Sequence, residues 1–542
     1  MNKISKYVMM LAAVAFLTTA CVQDLDVVPN DPNSIQYFDQ NGVFTKIYST
    51  LALTGQSGPD GNGDVEGIDE GVSAFVRMIW ELNEFPTDEG WWIWNGDAGL
   101  PDLRVISWTS VNPLVSGIYY RLYFDISLCN HFLELASDEG EGAAQIAEVR
   151  FIRALNYYYL LDMFGSVPFA LKVSSDAKPQ YSRVELYNWL ETELTELVDA
   201  LPATRLSDYR VDKVAAQMLL TRMYLNSEVY TGTAQWQKAS DMAKEVMNSQ
   251  YTLCEDNSGS YSAYQKIFMG DNHKYIGGNG EGILNIYQDG VMTQCWGGAR
   301  FMCSAFRDAN YNYFGISDTW SCFRTSPEFV EKFVDLTTAA TIFEDEFAMP
   351  ALLGDDRAIL RSANAGSTDT CKLTGPMTNG AFYECWSVLK WTGRYSTQPL
   401  GGENVSGHSP DWPDTDIPFI RVAEAYMSYA EAQFRLGNVG EATTTIQKLR
   451  DRAHNTQAFT VTEDFLIDEW SREFYCEGRR RIDLVRFGRF AGPQADTHKY
   501  HWEGRGNVAS GGDFVSLDAK YNIFPLPSSD VIVQGLTQAE GY

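Results

Sequence analysis

The chain of 542 residues has little positive charge, little histidine, few cysteines and only one long apolar run. Its 42 Lys and Arg face 71 Asp and Glu, for a formal charge of −29. So acidic a surface repels phosphate backbones and anionic lipid, which excludes general nucleic-acid binding and adsorption through a basic patch. The nine cysteines form no CxxC and are too scattered for a disulfide scaffold in a chain this long. Most of those beyond Cys21 (Cys129, Cys254, Cys295, Cys303, Cys322, Cys371, Cys385 and Cys476) therefore read as buried free thiols. GxSxG, a P-loop, HExxH and a usable GxGxxG are missing, and the six His have no metal-ligand spacing beyond His498 and His501 in an irregular stretch. Glu81 or Glu84 with Asp88 or Glu89 could be nominated as a glycosidase pair, since such pairs stand ~5 Å or ~6.5–9.5 Å apart. With 71 acidic residues, however, neighbouring carboxylates arise by chance, and this run reads as a solvated face.

The one apolar run opens the chain. Lys3 and Lys6 make a basic end, Tyr7 to Leu17 is apolar, and Thr18, Thr19 and Ala20 precede Cys21. A bilayer needs ~20 apolar residues, so 1–20 reads as a secretory signal rather than a span. Cys after Thr-Ala resembles the lipobox of bacterial lipoproteins, with Leu17 one place further from the Cys than is usual. That implies a lipidated Cys21, whose acyl chains anchor at ~0.8 kcal/mol per buried CH2 without a membrane helix. Residues 21–36, with Pro29, Pro32 and no period, suit a tether.

Beyond the tether most of the order is helical. Val43, Phe44, Ile47 and Leu51 share a helical face. A Gly- and Asp-rich loop follows at 55–71, where Asp60, Asn62 and Asp64 resemble the start of an EF-hand. Val65 and Gly71 stand where that motif wants Gly and Glu, so the segment reads as a loop, with calcium as the alternative and no other cofactor expected. Helical periods recur over 112–135, 145–164 (stopping at Gly165) and 182–201, then in paired segments 212–230 with 236–247 and within 419–453. Alanines at 423, 425, 430 and 432, the turn at Leu436 and Gly437, and Ala442 resemble a tetratricopeptide hairpin, a unit that stacks into surface-presenting arrays. Residues 250–415 are irregular and rich in Gly, Tyr, Trp, Asn and Asp, too long to be idle loop. The Arg-rich stretch 477–489 reads as ion pairs that fix the C-terminal helices.

The aromatic clusters carry the chemistry. Trp91, Trp92 and Trp94 lie in the Gly/Asn/Asp-bordered segment EGWWIWNGDAGLP, Trp296 in QCWGGAR and Trp320 in ISDTWSCF. An indole face suits the C–H face of a pyranose, and neighbouring Arg, Asn or Asp can bond its hydroxyls. The set therefore points to a binder of neutral, hydroxylated ligands.

The segments EVRFIRALNYYYLLDMFGSVPF (148–169), DKVAAQMLLTRMYLNSEVYTG (212–232), DTDIPFIRVAEAYMSYAEAQFRLG (414–437), IDEWSREFYCEGRRRIDLVRFGRF (467–490) and YNIFPLPSSDVIVQGLTQAEGY (521–542) together resemble the SusD/RagB family of outer-membrane glycan-binding lipoproteins. The resemblance implies a mainly α fold: a single domain over 37–542 with four tetratricopeptide-like hairpins (around 112–247 and 419–453) and a loop-rich ligand region (about 55–110 and 250–415). It implies non-catalytic capture of starch or another glucan, and delivery to a SusC-like TonB-dependent transporter. By local match Trp94, Trp296 and Trp320 take the positions of an aromatic arc, Arg77 that of an Arg contact, and Trp92 is a neighbour. The family's Asn contact falls near Gly96 or Asp97, beside Asn95. A glycoside hydrolase and a protein-interaction scaffold are the alternatives.

Overall fold

A computed structural model describes residues 38–92, 96–306, 315–320, 322–339, 349–361, 386–399, 408–493 and 517–542, except the side chains of Asp60, Trp91, Pro327 and Leu336. The expected signal (1–20), Cys21 and the tether (21–36) lie outside the described residues, as do Trp94, Asn95, Cys371, Cys385, His498 and His501.

Helix α1 (Gln40–Ala52) enters on a cap from the Asp39 carboxylate, and α2 (Phe75–Glu84) is buried along its whole length. A short strand β1 (Gly90–Trp92) follows. Five helices then run in succession: α3 (Pro113–Leu135), α4 (Gly142–Met163), α5 (Arg183–Ala200), α6 (Lys213–Leu225) and α7 (Trp236–Met247). Their starts follow ordinary end chemistry. Asn112 accepts the N–H groups of Leu114 and Val115 ahead of α3, and Ser182 with Glu185 closes a capping box on α5. The α4 pattern stops where the sequence predicts, before Gly165 at φ 74°.

The irregular region contributes strand β2 (Gly282–Ile286), helix α8 (Ala299–Ser304) and strand β3 (Phe323–Thr325). Strand β4 (Ile417–Arg421) precedes α9 (Ala423–Arg435) and α10 (Val439–Arg452), and α11 (Glu463–Phe474), α12 (Arg480–Arg486) and α13 (Ser528–Gln534) complete the chain. Residues 417–421, part of which the sequence assigns to a helical hairpin, are instead extended and pair antiparallel with β2. Alternating Ile417, Pro418, Phe419 and Ile420 suit a pleated, buried strand, and the helix starts only after Arg421. Antiparallel pairing also joins β1 to β3, with Trp92 opposite Phe323.

Helices α3 through α7 pack in sequence order, and α7 then packs on α9 and α9 on α10, so the array continues across the irregular region. That region lies between α7 and α9 in the sequence, which frees its loops to build a site while its two ends are clamped by helix packing. The Arg-rich stretch is an ion-pair lattice, as expected. Arg480 meets Asp88 at 2.8 Å, Arg479 meets Glu424 at 2.9 Å, and Arg486 meets Glu431 at 2.9 Å, all essentially closed to solvent. The described cysteines beyond the N-terminus (Cys129, Cys254, Cys295, Cys303, Cys322 and Cys476) are buried free thiols.

Candidate functional site

Helix α2 and helix α8 supply the floor of the site. Trp80 of α2 meets Phe85, Phe301, Phe306 and Phe323 edge-on, with centroids 5.2–5.3 Å apart. Edge-to-face contact of this kind uses the ring quadrupole and suits a closed core. Phe301 is the link to the surface, because its ring also lies 6.3 Å from that of Trp320.

Above the floor three indoles gather. Trp296 lies 6.2 Å from Trp320 and 4.8 Å from Trp412, and all three are half-buried. The guanidinium of Arg300 stands 5.8 Å from the ring of Trp296 and 5.9 Å from that of Trp320. Its side chain is buried and paired to Asp318, whose own side chain is largely exposed. A cation fixed between two π faces in this way orients both rings and keeps a charged donor at the base of the cluster.

Close backbone approach seats Trp296. A Cβ on Gly71 would run into the base of its side chain, so the Gly- and Asp-rich loop at 55–71 serves as its backing. Two acidic groups of that loop are already engaged. Asp64 is bonded by Lys46 at 2.7 Å and faces Arg121 at 3.5 Å, and the Glu70 carboxylate accepts from Thr54. Among the described residues no cluster of three or more His, Cys, Asp or Glu could hold a metal ion.

The structure thus brings together Trp296 and Trp320 of the residues singled out from the sequence, and sets the others apart. Trp92 is 3% exposed, stacked on Phe301 at 6.1 Å and tilted against Phe85 at 5.1 Å. It belongs to the floor, because β1 is held against β3 and turns that indole inward. The flanking Gly and Asp, read as surface signals, instead permit the tight strand entry: a Cβ on Gly90 would strike the ring of Phe323. Arg77 is also buried, donating from Nε to Glu81 at 2.8 Å and covering Phe301 at 4.7 Å. It stands one ring below the indoles. Asp97 is half-buried near the Arg77–Glu81 pair, where its charge adds to burial in raising the Glu81 carboxyl. Trp94 and Asn95 fall outside the described residues.

The four carboxylates weighed as a glycosidase pair are buried rather than solvated, which corrects that reading. Asp88 is held by Arg480 and by Lys332 at 2.6 Å. Glu89 accepts from Ser471 and the Cys476 N–H, and Glu84 accepts the N–H groups of Gly478 and Arg479. Burial and the neighbouring Glu89 push the Glu84 carboxyl well up. A substrate has no approach to groups tied down in this way.

Sequence reading passed over Trp412 and Arg300. Both carried a usable signal: Arg300 ends the QCWGGAR segment four residues after Trp296, and Trp412 sits between Asp411 and Pro413 in the same irregular region.

The profile described as "SusD family" matches residues 379–542, and that described as "Starch-binding associating with outer membrane" matches 96–225. The starch-binding protein SusD of Bacteroides thetaiotaomicron is 38% identical over 574 aligned positions, spanning 99% of this chain and 100% of that protein. The chain belongs to the SusD family. SusD-like protein P2 of Formosa agariphila is 29% identical, over 69% of this chain and 70% of its own length. Among solved structures, surface glycan-binding protein A of B. thetaiotaomicron in complex with laminarihexaose shares the fold at TM-score 0.64 and 18% identity, covering 92% of this chain and 98% of that one. A SusD homologue of B. thetaiotaomicron superposes at TM-score 0.66 with 18% identity, covering 93% and 96%.

Proposed function

We propose that this protein captures a neutral glucan at the outer surface of the outer membrane, without cleaving it, and passes it to a SusC-like TonB-dependent transporter. The observation that carries the reading is the half-buried trio Trp296, Trp320 and Trp412 with Arg300 locked between two of the rings. Flat indoles bind the C–H faces of sugar rings, and little side-chain freedom is lost when the rings are already held. Trp94 would extend the arc, and Asn95 and Asp97 would bond hydroxyls from the adjoining loop. Arg77 and Trp92 would act from below, by fixing Phe301. The overall charge of −29 disfavours an anionic glycan and leaves a neutral one unopposed.

Support for starch as the glucan comes from the 38% identical relative, which is named for starch binding. The neighbour holding laminarihexaose supports glucan recognition by this fold with a different linkage. Support for the outer-membrane location comes from the matched family's description. Among the described residues no helix is long and apolar enough to cross a membrane, so attachment is assigned to lipid on Cys21.

The test is affinity electrophoresis of residues 22–542 through gels holding amylopectin, mixed-linkage β-glucan, xyloglucan, levan or galactomannan. Retardation by amylopectin is the expected result. Retardation by a β-glucan alone would keep the site and change the linkage. Passage through every gel unretarded, or release of reducing ends from any polysaccharide, would overturn the proposal.

A further inference from the structure

A second aromatic feature lies along the chain from the indoles and nothing above employs it. Between α1, the end of β2 and the loop before α6 there is a cavity of about 160 Å³. Two of its walls are Tyr209 and Tyr287, whose rings lie 4.5 Å apart at 58°. Tyr287 is 39% exposed, and both hydroxyls are tied back: Tyr209 donates to Asp416 at 3.2 Å and Tyr287 to Asp289 at 3.3 Å. The rings are therefore held in place with part of their faces open. The remaining wall is mainly apolar, with Leu51, Leu53 and Ile286, and Thr45, Ser49 and Thr293 place hydroxyls along it.

One rigid loop joins the cavity to the indole cluster along the chain: Thr293 lines the cavity, and Trp296 follows three residues later. The Asp289 carboxylate accepts the N–H groups of Val291, Met292 and Thr293 at 2.9, 2.7 and 3.1 Å, which freezes the turn. Gly290 sits so close to the carbonyl of Trp412 that a Cβ there would collide with it. The loop is thus seated against the backbone of the third tryptophan and leaves Val291 and Met292 54% and 75% exposed.

We propose that the Tyr209–Tyr287 cavity is a remote subsite that takes a further sugar ring of the same neutral glucan chain whose other rings lie on Trp296, Trp320 and Trp412. This rests on the glucan-binding reading above. The volume fits such a role: sites that enclose a whole ligand run to about 300–1,000 Å³, so this one takes a single unit of a chain lying across it. A ring edge would stack on Tyr287, and its hydroxyls would meet Thr45 and Ser49. Long chains then bind through both places and short ones through the indoles alone, so affinity rises with chain length by linkage of the two contacts.

Isothermal titration calorimetry on residues 22–542 tests this with maltotriose and a long linear amylose fraction, and with laminaritriose and laminarin in parallel. The wild type is expected to bind the long chain of one series at least about tenfold more tightly than the short one. Tyr287→Ala is expected to remove most of that gap while leaving the trisaccharide affinity unchanged. Ser49→Phe, which fills the cavity from α1, is expected to do the same, and thermal unfolding of both variants reports whether the fold is kept. A Tyr287→Ala protein that keeps the long-chain advantage, or loses short and long ligands equally, overturns the subsite. If the wild type binds neither series, the glucan reading fails first and the subsite with it.

Discussion

Two clusters of aromatic rings lie against each other in this molecule, and they are built on opposite plans. Around Trp80 the rings meet edge to face, are closed to solvent and come from segments far apart in the chain: α2, the strand pair β1–β3 and α8. Around Trp296 the rings are half-open, borne on irregular backbone and braced by a buried arginine. Phe301 touches both. The same residue type thus serves two ends according to how its backbone is held. A strand in register with another turns Trp92 into the core, whereas irregular backbone leaves Trp296 and Trp320 at the edge.

The comparison breaks most sharply if the closed cluster is opened. Trp80→Ala is expected to cost about 3–5 kcal/mol of stability, the usual range for emptying a fully buried indole site, read as a lower midpoint in denaturant unfolding. A variant that unfolds like the wild type would show that the floor is not what holds α2 to α8. The open cluster should answer the other way. Trp296→Ala or Trp412→Ala is expected to weaken glucan binding about tenfold or more, about 1.4 kcal/mol, with little change in unfolding. Equal losses of stability at all three tryptophans would erase the distinction between the clusters.

Acidity separates the two regions further. Burial, only partly offset by Arg121 one turn earlier on α3, pushes the Asp125 carboxyl up to about 7. Its folded pKa exceeds the unfolded value of about 3.9, so the native state holds the extra proton between roughly pH 4 and 7. Stability from this group therefore falls as pH rises through that window. Asp125→Asn is expected to raise stability by on the order of 1–2 kcal/mol at pH 8 and by much less at pH 5, which melting curves at the two pH values would show. A gain larger at pH 5 would contradict the assignment. The smallest expected effect is at the brace. Arg300→Lys keeps the charge but loses the planar stack on Trp296 and Trp320, and is expected to weaken binding a few-fold, under about 1 kcal/mol.

Much of the scaffold is legible in the sequence, because helix periods, caps and stops are local. The stop before Gly165 and the turn at Leu436 and Gly437 are examples. Residues 417–421 mislead, since Ile417, Pro418 and Ile420 pair with a strand more than 130 residues earlier and no local signal reveals that partner. The site is legible only in part, for the same reason. Trp296 and Trp320 stand out by their borders, but whether an indole faces in or out depends on long-range pairing, which sends Trp92 inward opposite Phe323. The carboxylates at 81–89 look solvated on composition alone. The cations of Asp88, Arg480 and Lys332, arrive from more than 240 residues away.

The most direct test of the central claim, that the open indoles bind while the closed ones hold the fold, is paired calorimetry on one double variant, Trp296→Ala with Trp320→Ala. Binding of whichever polysaccharide retards the wild type is measured beside thermal unfolding of the same sample. The account predicts that binding disappears while the midpoint of unfolding stays within a few degrees of the wild type. Binding at wild-type strength, or collapse of the fold along with it, would contradict the account.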